Sequence, residues 1–171
     1  MIAAQDMEST VDIVARLALP ADAPGLVALW VRFMREESAA VPDAAPESAR
    51  PHWAARLDTQ ITKGQALVVS RGRELVGFAA FLDAADRSWI PPHVAYVVDV
   101  YVAPEARRTR AAKALFAALM ASTQARYAAV WTNTHIRNRR VRVLLTRAGF
   151  GPLPGFAITG LEDQVYLQRT L

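Results

Sequence analysis

A segment in the second half of the chain has residues suited to binding a phosphate group. Residues 98–119 read VDVYVAPEARRTRAAKALFAAL, which predicts the end of a buried strand, a short loop and an amphipathic helix. Such a junction directs backbone N–H groups and the positive end of a helix dipole at one point, where a pyrophosphate would bind. Arg107, Arg108 and Arg110 could add charge-assisted contacts to its oxygens, or they could be solvated loop charges.

A carboxylate in the same region is the candidate for acid–base chemistry. Asp99 lies in the run His93–Val102, which is otherwise nearly all apolar. A carboxylate in such a strand is costly unless it is paired or hydrated, so Asp99 is the candidate general base or water-orienting residue. The alternative is an ion pair with an arginine, or a side chain that faces outward. Glu36 and Glu37 near the end of the first predicted helix are interpreted as an exposed helix end.

The elements that position these residues follow from hydrophobic periodicity and from turn residues. Apolar residues at helical spacing predict amphipathic helices, and alternating or β-branched runs predict strands. The prediction is, in chain order, a strand Val11–Leu19, a helix capped by Asp22, a loop over 38–51, a helix through Trp53–Ile61, a hairpin of Ala66–Ser70 with Leu75–Leu82, a central strand His93–Val102, a helix Ala111–Thr123, a strand Tyr127–Thr132, a helix capped by Asn138 and ended by Gly149, and a closing pair of Phe156–Thr159 with Gln164–Arg169.

Composition limits the class of protein. With 171 residues, of which 53% are hydrophobic and 21% charged, the chain fits one packed domain. We expect a flexible tail over residues 1–10 and a single domain over 11–171. No apolar run is long enough to span a membrane and no secretory-signal pattern begins the chain, so a cytoplasmic protein without a membrane partner is expected. Zero cysteines and three histidines predict no disulfide, no thiol nucleophile and no metal site.

Two motifs in this sequence resemble those of the GNAT (Gcn5-related N-acetyltransferase) superfamily. The first resembles YV-x-P-x-x-R-G-x-G-x-G/A, with Tyr101, Val102, Pro104, Arg107 and Ala112 in register. The second resembles N-x-x-A-x-x-L-Y-x-x-x-G-F and is carried here by Asn138, Val141, Leu144, Leu145, Gly149 and Phe150. One helix and one strand separate the motifs, as in the family.

The resemblance implies a fold, a co-substrate and a set of contacts. The fold would be a mixed α/β (α+β) domain, with a mostly antiparallel central sheet of six to seven strands flanked by about four helices. Acetyl-CoA would lie with its pantetheine arm in the gap where the central strand splays from its neighbour. No metal would be needed. The residues implied to contact it are Val100, Tyr101, Val102, Arg107, Arg108, Thr109, Arg110, Ala111, Ala112 and Asn138.

The sequence departs from the family pattern at three positions. Two loop glycines are replaced by Arg108 and Arg110, so the loop must use backbone angles that ordinary residues adopt. The tyrosine that often protonates the departing thiolate is replaced by Leu145, which has no proton to donate. The thiolate then leaves without that help, another hydroxyl substitutes, or catalysis is impaired.

The resemblance implies an N-acetyltransferase that moves an acetyl group from acetyl-CoA to a primary amine by direct attack. The acceptor would be a small molecule or a peptide N-terminus, recognised by residues in Trp30–Ile61 and in Asp83–Pro92, and a homodimer is left open. The alternative is a GNAT-like domain that binds acyl-CoA with little or no catalysis. Nucleic-acid binding through Arg137–Arg147 is disfavoured because no aromatic residues are interleaved there for base stacking.

Overall fold

The computed structural model describes residues 12–40 and 50–171, with the side chains of residues 37–40 and 50 excepted. The expected tail over residues 1–10 lies outside the described residues, and so does the middle of the expected loop over 38–51. The helices on either side of that loop are longer than predicted, because the first continues to Ala40 and the second begins at Arg50.

The order of elements agrees with the prediction over most of the chain. The elements are β1 (Ile13–Leu17), α1 (Ala23–Ala40), α2 (Arg50–Thr62), β2 (Ala66–Arg71), β3 (Glu74–Leu82), β4 (Val94–Val102), α3 (Ala111–Gln124), β5 (Ala129–His135), α4 (Arg139–Arg147), β6 (Gly151–Pro152) and β7 (Gln164–Thr170). Short 3-10 turns at Pro20–Asp22 and Pro104–Ala106 precede α1 and α3. No helix in the described ranges is both long enough and apolar enough to cross a lipid bilayer.

The strands form one mixed sheet in the order β1-β2-β3-β4-β5-β7-β6. Every neighbouring pair is antiparallel except β4 and β5, which are parallel because helix α3 connects them as a crossover. The expected fold class, a mostly antiparallel sheet flanked by helices, is confirmed.

The two faces of the sheet are covered by different helices. Leu115 and Leu119 of α3 pack into a core with Val97 and Val130 on one face. On the opposite face, α1 and α2 form a second core with Phe78 and Tyr101. Helical periodicity therefore identified the buried sides of α1 and α2. For α3 the spacing of Ala112, Leu115 and Leu119 predicts the buried side, and the two leucines are buried there. Ala112, at the start of the helix, is exposed.

A β-bulge in β4 changes which face of the sheet its residues point to. Ala80 of β3 lies opposite Asp99, but the next residue, Phe81, lies opposite Val97, so Val98 is an extra residue on β4. A bulge of this kind reverses the alternation of side chains along the strand. As a result, Val97 packs on the α3 face, whereas Tyr101, an even number of positions further along, packs on the α1–α2 face.

Two local predictions are confirmed and two are corrected. Asn138 caps α4 by accepting a hydrogen bond from the Val141 amide (3.2 Å), and Gly149 ends it with φ +87°. Asp22, predicted to cap α1, instead ends the preceding 3-10 turn, where it accepts from the Leu19 amide (2.7 Å). The segment Phe156–Thr159 is not a strand, because the Phe156 ring packs against aromatic residues of the sheet face, and the partner of β7 is β6.

We predict that Gly77→Ala destabilises the pairing of β3 with β4. A Cβ at Gly77 would lie 2.6 Å from the Tyr101 carbonyl oxygen and 2.9 Å from Cγ1 of Val69. Because the first of these is backbone, relief requires movement of β4, and we expect a loss of about 1–3 kcal/mol in the free energy of unfolding, measured by urea denaturation. Gly151→Ala is the control, since its Cβ would have nothing within 4 Å. Equal stability of the two variants would contradict the prediction.

Candidate active site

The strands β4 and β5 separate part-way along their length and leave a gap in the sheet. They pair only from Val94 with Ala129 to Val97 with Thr132, although β4 continues to Val102 and β5 to His135. The Thr132 hydroxyl donates to the Val97 carbonyl oxygen (3.1 Å) at the last paired position. Beyond it, the edges of both strands face each other without pairing, which is the splay that the resemblance implies.

Backbone amides of β4 point into this gap. The Ala103 amide donates to the Val76 carbonyl oxygen of the β3 side (2.8 Å). Because hydrogen bonding alternates along an antiparallel pair, the amides of Val100 and Val102 point the other way, towards the gap. The Val100 side chain is 52% exposed, which is unusual for an apolar residue of an interior strand. The gap therefore offers free N–H donors beside apolar surface.

The loop after β4 presents further unpaired amides. Among the residues that the structure describes, the N–H groups of Arg108, Arg110, Ala112 and Lys113 have no acceptor. The Thr109 hydroxyl accepts from the Ala111 amide (3.1 Å) and donates to the Ala106 carbonyl oxygen (2.7 Å), so it fixes the start of α3. Free amides at a helix N-terminus are the donors that an anion requires, so this loop is the candidate anion site.

The backbone of the loop is unstrained at Arg107 and at Arg110. Arg107 has φ −64° and Arg110 has φ −76°, both in the right-handed helical region that any residue adopts. Arg110 therefore occupies one of the two positions where the family pattern has glycine without a left-handed conformation. The side chains of Arg108 and Arg110 are exposed and form no ion pair with a described residue.

Arg107 connects the loop to α1 and is directed away from the free amides. Its guanidinium pairs with Glu36, and its Nε donates to the Val102 carbonyl oxygen (2.8 Å). The Tyr101 hydroxyl donates to the same Glu36 carboxylate (2.5 Å). Burial raises the pKa of Glu36, but the hydrogen bonds from Tyr101 and Arg107 outweigh it, so the net pKa is lowered. Glu36 thus holds both the end of β4 and the loop, a role that its interpretation as an exposed helix end missed.

Asp99 is buried and forms an ion pair with Arg56 of α2. The Asp99 side chain is 6% exposed and that of Arg56 is 15% exposed. Burial raises the pKa of Asp99 to about 6, and the nearby Arg56 limits that rise. The pair involves Oδ2 of Asp99 only. The structure therefore shows Asp99 in an ion pair and not facing outward. The residue lies where the gap between β4 and β5 begins.

Aromatic side chains surround this pair on the α1–α2 side of the sheet. The Arg56 guanidinium lies 3.3 Å above the ring of Trp53, which in turn stacks on Trp30 at 5.0 Å. Further along the same face, Trp89 packs edge-on against Tyr96 at 4.8 Å. Arg56 was not among the predicted site residues. Its position one helical turn after Trp53, on the apolar side of α2, is the signal that could have identified it.

Helix α4 has an apolar side that the described protein leaves partly open. None of its residues is buried, and Leu144 is 54% exposed. Leu145 and Ala148 pack against the core on the α3 face, so the apolar side of α4 is directed to that face of the sheet. Asn138 uses its Oδ1 to cap the helix. Because α3 and α4 follow adjacent parallel strands, their N-termini lie on the two sides of the gap.

Three of the four tyrosine hydroxyls donate to other side chains and are not free to replace the acid absent at Leu145. The chain has four tyrosines, all described. Tyr96, Tyr101 and Tyr127 donate to Asn133 (2.6 Å), Glu36 (2.5 Å) and Asp83 (2.9 Å), respectively. Tyr166 is buried beneath Phe156, and its hydroxyl has no hydrogen-bond partner among the described residues. Within the described ranges, no group of three or more His, Asp or Glu residues could hold a metal ion.

The comparison with protein families gives one match. The model of the acetyltransferase (GNAT) family matches residues 28–150, which include the gap, the anion site and α4. No protein among those with curated descriptions matches this sequence.

Solved structures with the same fold are numerous, at low sequence identity. The PaiA N-acetyltransferase from Thermoplasma acidophilum, solved with coenzyme A, superposes with a TM-score of 0.74 at 14% identity, covering 94% of this chain and 99% of that one. The ribosomal-protein-alanine N-acetyltransferase from Brucella melitensis gives 0.68 at 22% identity, covering 92% and 99%. Ard1 from Thermoplasma volcanium gives 0.67 at 13% identity, covering 93% and 97%.

We predict that replacing only one member of the Arg56–Asp99 pair lowers the free energy of unfolding much more than replacing both. Arg56→Met leaves a buried carboxylate without its partner, so we expect about 3–5 kcal/mol less stability at pH 7. The double variant Arg56→Met with Asp99→Asn removes both charges, and most of the loss should be recovered. Urea denaturation of both single variants, the double variant and the parent measures the coupling. Additive losses would show that the two side chains do not interact.

Proposed function

This chain belongs to the acetyltransferase (GNAT) family, and we propose that it moves an acetyl group from acetyl-CoA to a primary amine by direct attack. The observation that carries the proposal is the gap between β4 and β5, which has free amides on one edge and an anion site at its end. A thioester arm and a pyrophosphate are two parts of one ligand, and the gap offers a separate place to each.

The donor would be held mainly by backbone groups. The unpaired amides of Arg108, Arg110, Ala112 and Lys113 would bind the pyrophosphate, with the exposed guanidinium groups of Arg108 and Arg110 adding charge. Val100 and the open side of α4 would cover the pantetheine arm. Thr109, Ala111 and Asn138 would act by shaping the loop and the start of α4, since their polar groups already hold backbone. Arg107 would act in the same way, through Glu36.

The amides of Val100 and Val102 would polarise the thioester carbonyl. They point into the gap from a strand whose other edge is fixed to β3, so they are preorganised for charge that develops on the carbonyl oxygen. The amine nitrogen forms a bond to the carbonyl carbon, and the carbon–sulfur bond then breaks. The amine loses one proton in this process, and the CoA thiolate leaves with the bonding electrons.

Asp99 would accept the amine proton, directly or through a water. Its pKa of about 6 leaves it mostly ionised at neutral pH, and yet close enough to neutrality for a general base. Arg56 uses only Oδ2, which leaves Oδ1 to accept a hydrogen bond. Asp99 follows the bulge on the face where α1 and α2 lie, so the acceptor would approach from that side of the sheet.

The second candidate function is a domain that binds acyl-CoA with little catalysis. Leu145 favours it, because Tyr96, Tyr101 and Tyr127 each donate to another side chain, and the unpaired hydroxyl of Tyr166 is buried. A thiol is, however, a moderately acidic leaving group, with a pKa near 8.5 in the comparable cysteine side chain. Departure without a protein acid is therefore feasible at neutral pH, and the enzyme remains the proposal.

The acceptor would lie between α1–α2 and the aromatic residues of the sheet face. Trp53 and Trp89 border this area, together with Tyr96. Such walls suit an amine on an apolar or aromatic group, carried by a small molecule or a peptide N-terminus.

A homodimer is proposed from the sequence resemblance alone. Gel filtration with light scattering would test it.

We expect the protein to bind coenzyme A and to release free thiol from acetyl-CoA with some members of a panel of primary amines. Calorimetry measures the binding, and a thiol reagent measures the turnover. Leu145→Tyr supplies the missing acid and should raise kcat by about tenfold or more, since general acids contribute at least that much. Binding without turnover in both proteins would establish the second candidate instead. Absence of coenzyme A binding would contradict both functions.

We predict that Asp99→Asn lowers kcat by about 100-fold or more, as loss of a general base does, with coenzyme A affinity unchanged within about twofold. The base must be ionised, so kcat/KM of the parent should rise as pH increases through about 6, following the raised pKa of Asp99. This inflection should be absent from the Asn variant. Unchanged activity, or an inflection that persists in the variant, would show that another group is the base.

A further inference from the structure

The stretch of the chain that contains α3 and α4 is strongly cationic. From Ala106 to Leu161 there is no aspartate or glutamate, and the same stretch has ten lysine and arginine residues. Helices α3 and α4 both lie in it, and both belong to the face opposite α1 and α2. All sixteen acidic residues lie outside the stretch. The result is a strongly positive surface around the donor end of the gap.

Acetyl-CoA does not account for the whole of this surface. The anion site at the start of α3 is formed by backbone amides with Arg108 and Arg110. On α4, however, Arg139, Arg140 and Arg147 lie opposite the apolar side that contains Leu145, at positions that point outward from the helix. A pantetheine arm in the gap would meet the apolar side of α4, so the arm would make no contact with these three arginines.

The arrangement on α4 is electrostatically unfavourable for the isolated domain. Arg139 and Arg140 are the first two residues of the helix, whose first turn has no acidic residue. Cations at a helix N-terminus oppose the helix dipole, and neighbouring like charges repel each other. Within the described ranges, neither forms an ion pair that would offset the cost. An anionic partner would offset it.

The outer face of α4 also has an apolar centre. Val143 is 42% exposed. It is four residues from Arg139, three from Arg140 and four from Arg147, so all three arginines are its neighbours on the helix surface. We define this set, Arg139, Arg140, Val143 and Arg147, as the α4 patch. One exposed valine among three arginines gives the patch a small apolar contact point, which suits a protein partner better than a purely charged face does.

We propose that the α4 patch docks an acidic protein that carries the acetyl thioester on its own phosphopantetheine arm, so that this enzyme accepts a carrier-bound donor. The inference rests on the proposed function, because the arm would enter the same gap as that of acetyl-CoA. The amine would attack the carrier thioester, the carbon–sulfur bond would break, and the thiolate would remain on the carrier arm and take up a proton.

A nucleic acid is the competing partner for a cationic surface, and the patch fits it less well. Single-stranded nucleic acids are held by aromatic stacking beside the phosphate contacts. From Asn138 to Gly149 there is no aromatic residue, and the exposed side chain at the centre of the patch is valine. Valine contributes to an apolar protein contact but offers no stacking surface.

The test compares acetylated holo-acyl carrier protein, the apo carrier without its arm, acetyl-CoA and a short single-stranded RNA. We expect both carrier forms to bind in calorimetry with salt-dependent affinity, and the KM for the acetylated carrier to lie about tenfold below that for acetyl-CoA at low salt. Arg139→Glu with Arg140→Glu should raise the carrier KM at least about tenfold and leave that of acetyl-CoA within about twofold. Val143→Ala should weaken carrier binding and leave RNA binding unchanged.

The double variant Arg139→Glu with Arg140→Glu should fold as well as the parent. Glutamate in the first turn of α4 is favourable to the helix dipole, so the Tm of the double variant should be equal to or higher than that of the parent. Arg73→Glu is the control for the single variants Arg139→Glu and Arg140→Glu, because it makes the same change of charge at an exposed position outside α4 and should leave the carrier KM unchanged.

Three results would overturn the inference: no binding of the apo carrier, RNA binding as tight as carrier binding, or an equal loss of acetyl-CoA and carrier use in the double variant. Failure of the proposed function is a different result, in which the apo carrier binds but neither donor is consumed. Turnover of acetyl-CoA without carrier binding would leave the proposed function intact and refute the docking surface alone.

Discussion

The separation of β4 from β5 is the constraint on which the rest of the site depends. Two parallel strands that stay paired leave no room for a ligand and no free amides. Here the pairing ends at Val97 with Thr132, and the extra residue Val98 bends β4 at the next position. The bulge also turns Asp99 towards α2. One irregularity in the backbone thus accompanies the gap, exposes the amides of Val100 and Val102, and places the carboxylate beside it.

The two faces of the sheet differ in composition. The stretch with α3 and α4 has no carboxylate, whereas α1 and α2 have both arginines and carboxylates, together with Trp30 and Trp53. On the α1–α2 side the carboxylates of Asp99 and Glu36 are each paired with an arginine. Glu36 joins the sides, since it binds Arg107 of the loop and Tyr101 of the strand.

The fold was predictable from the sequence to the extent that local signals determine it. The spacing of Leu26, Leu29 and Trp30 identified a helix face, and Asn138 and Gly149 marked the two ends of α4. The strand predicted over Phe156–Thr159 was wrong, because a short apolar run cannot tell a strand from a loop whose aromatic side chain packs on a sheet. The loop and its arginines were found from the strand–loop–helix order alone. Arg56 was not found, because its partner is 43 residues away and no local pattern encodes that contact.

The buried Arg56–Asp99 ion pair is not explained by stability alone. Replacing such a pair with apolar residues of similar volume is often neutral or stabilising. In this protein the pair has a further cost, since the Nε of Arg56 is buried without an acceptor among the described residues. Burial raises the pKa of Asp99, and Arg56 keeps that rise within the range of a useful base. The proposed role of Asp99 as the base would explain both this cost and the arginine that limits the pKa.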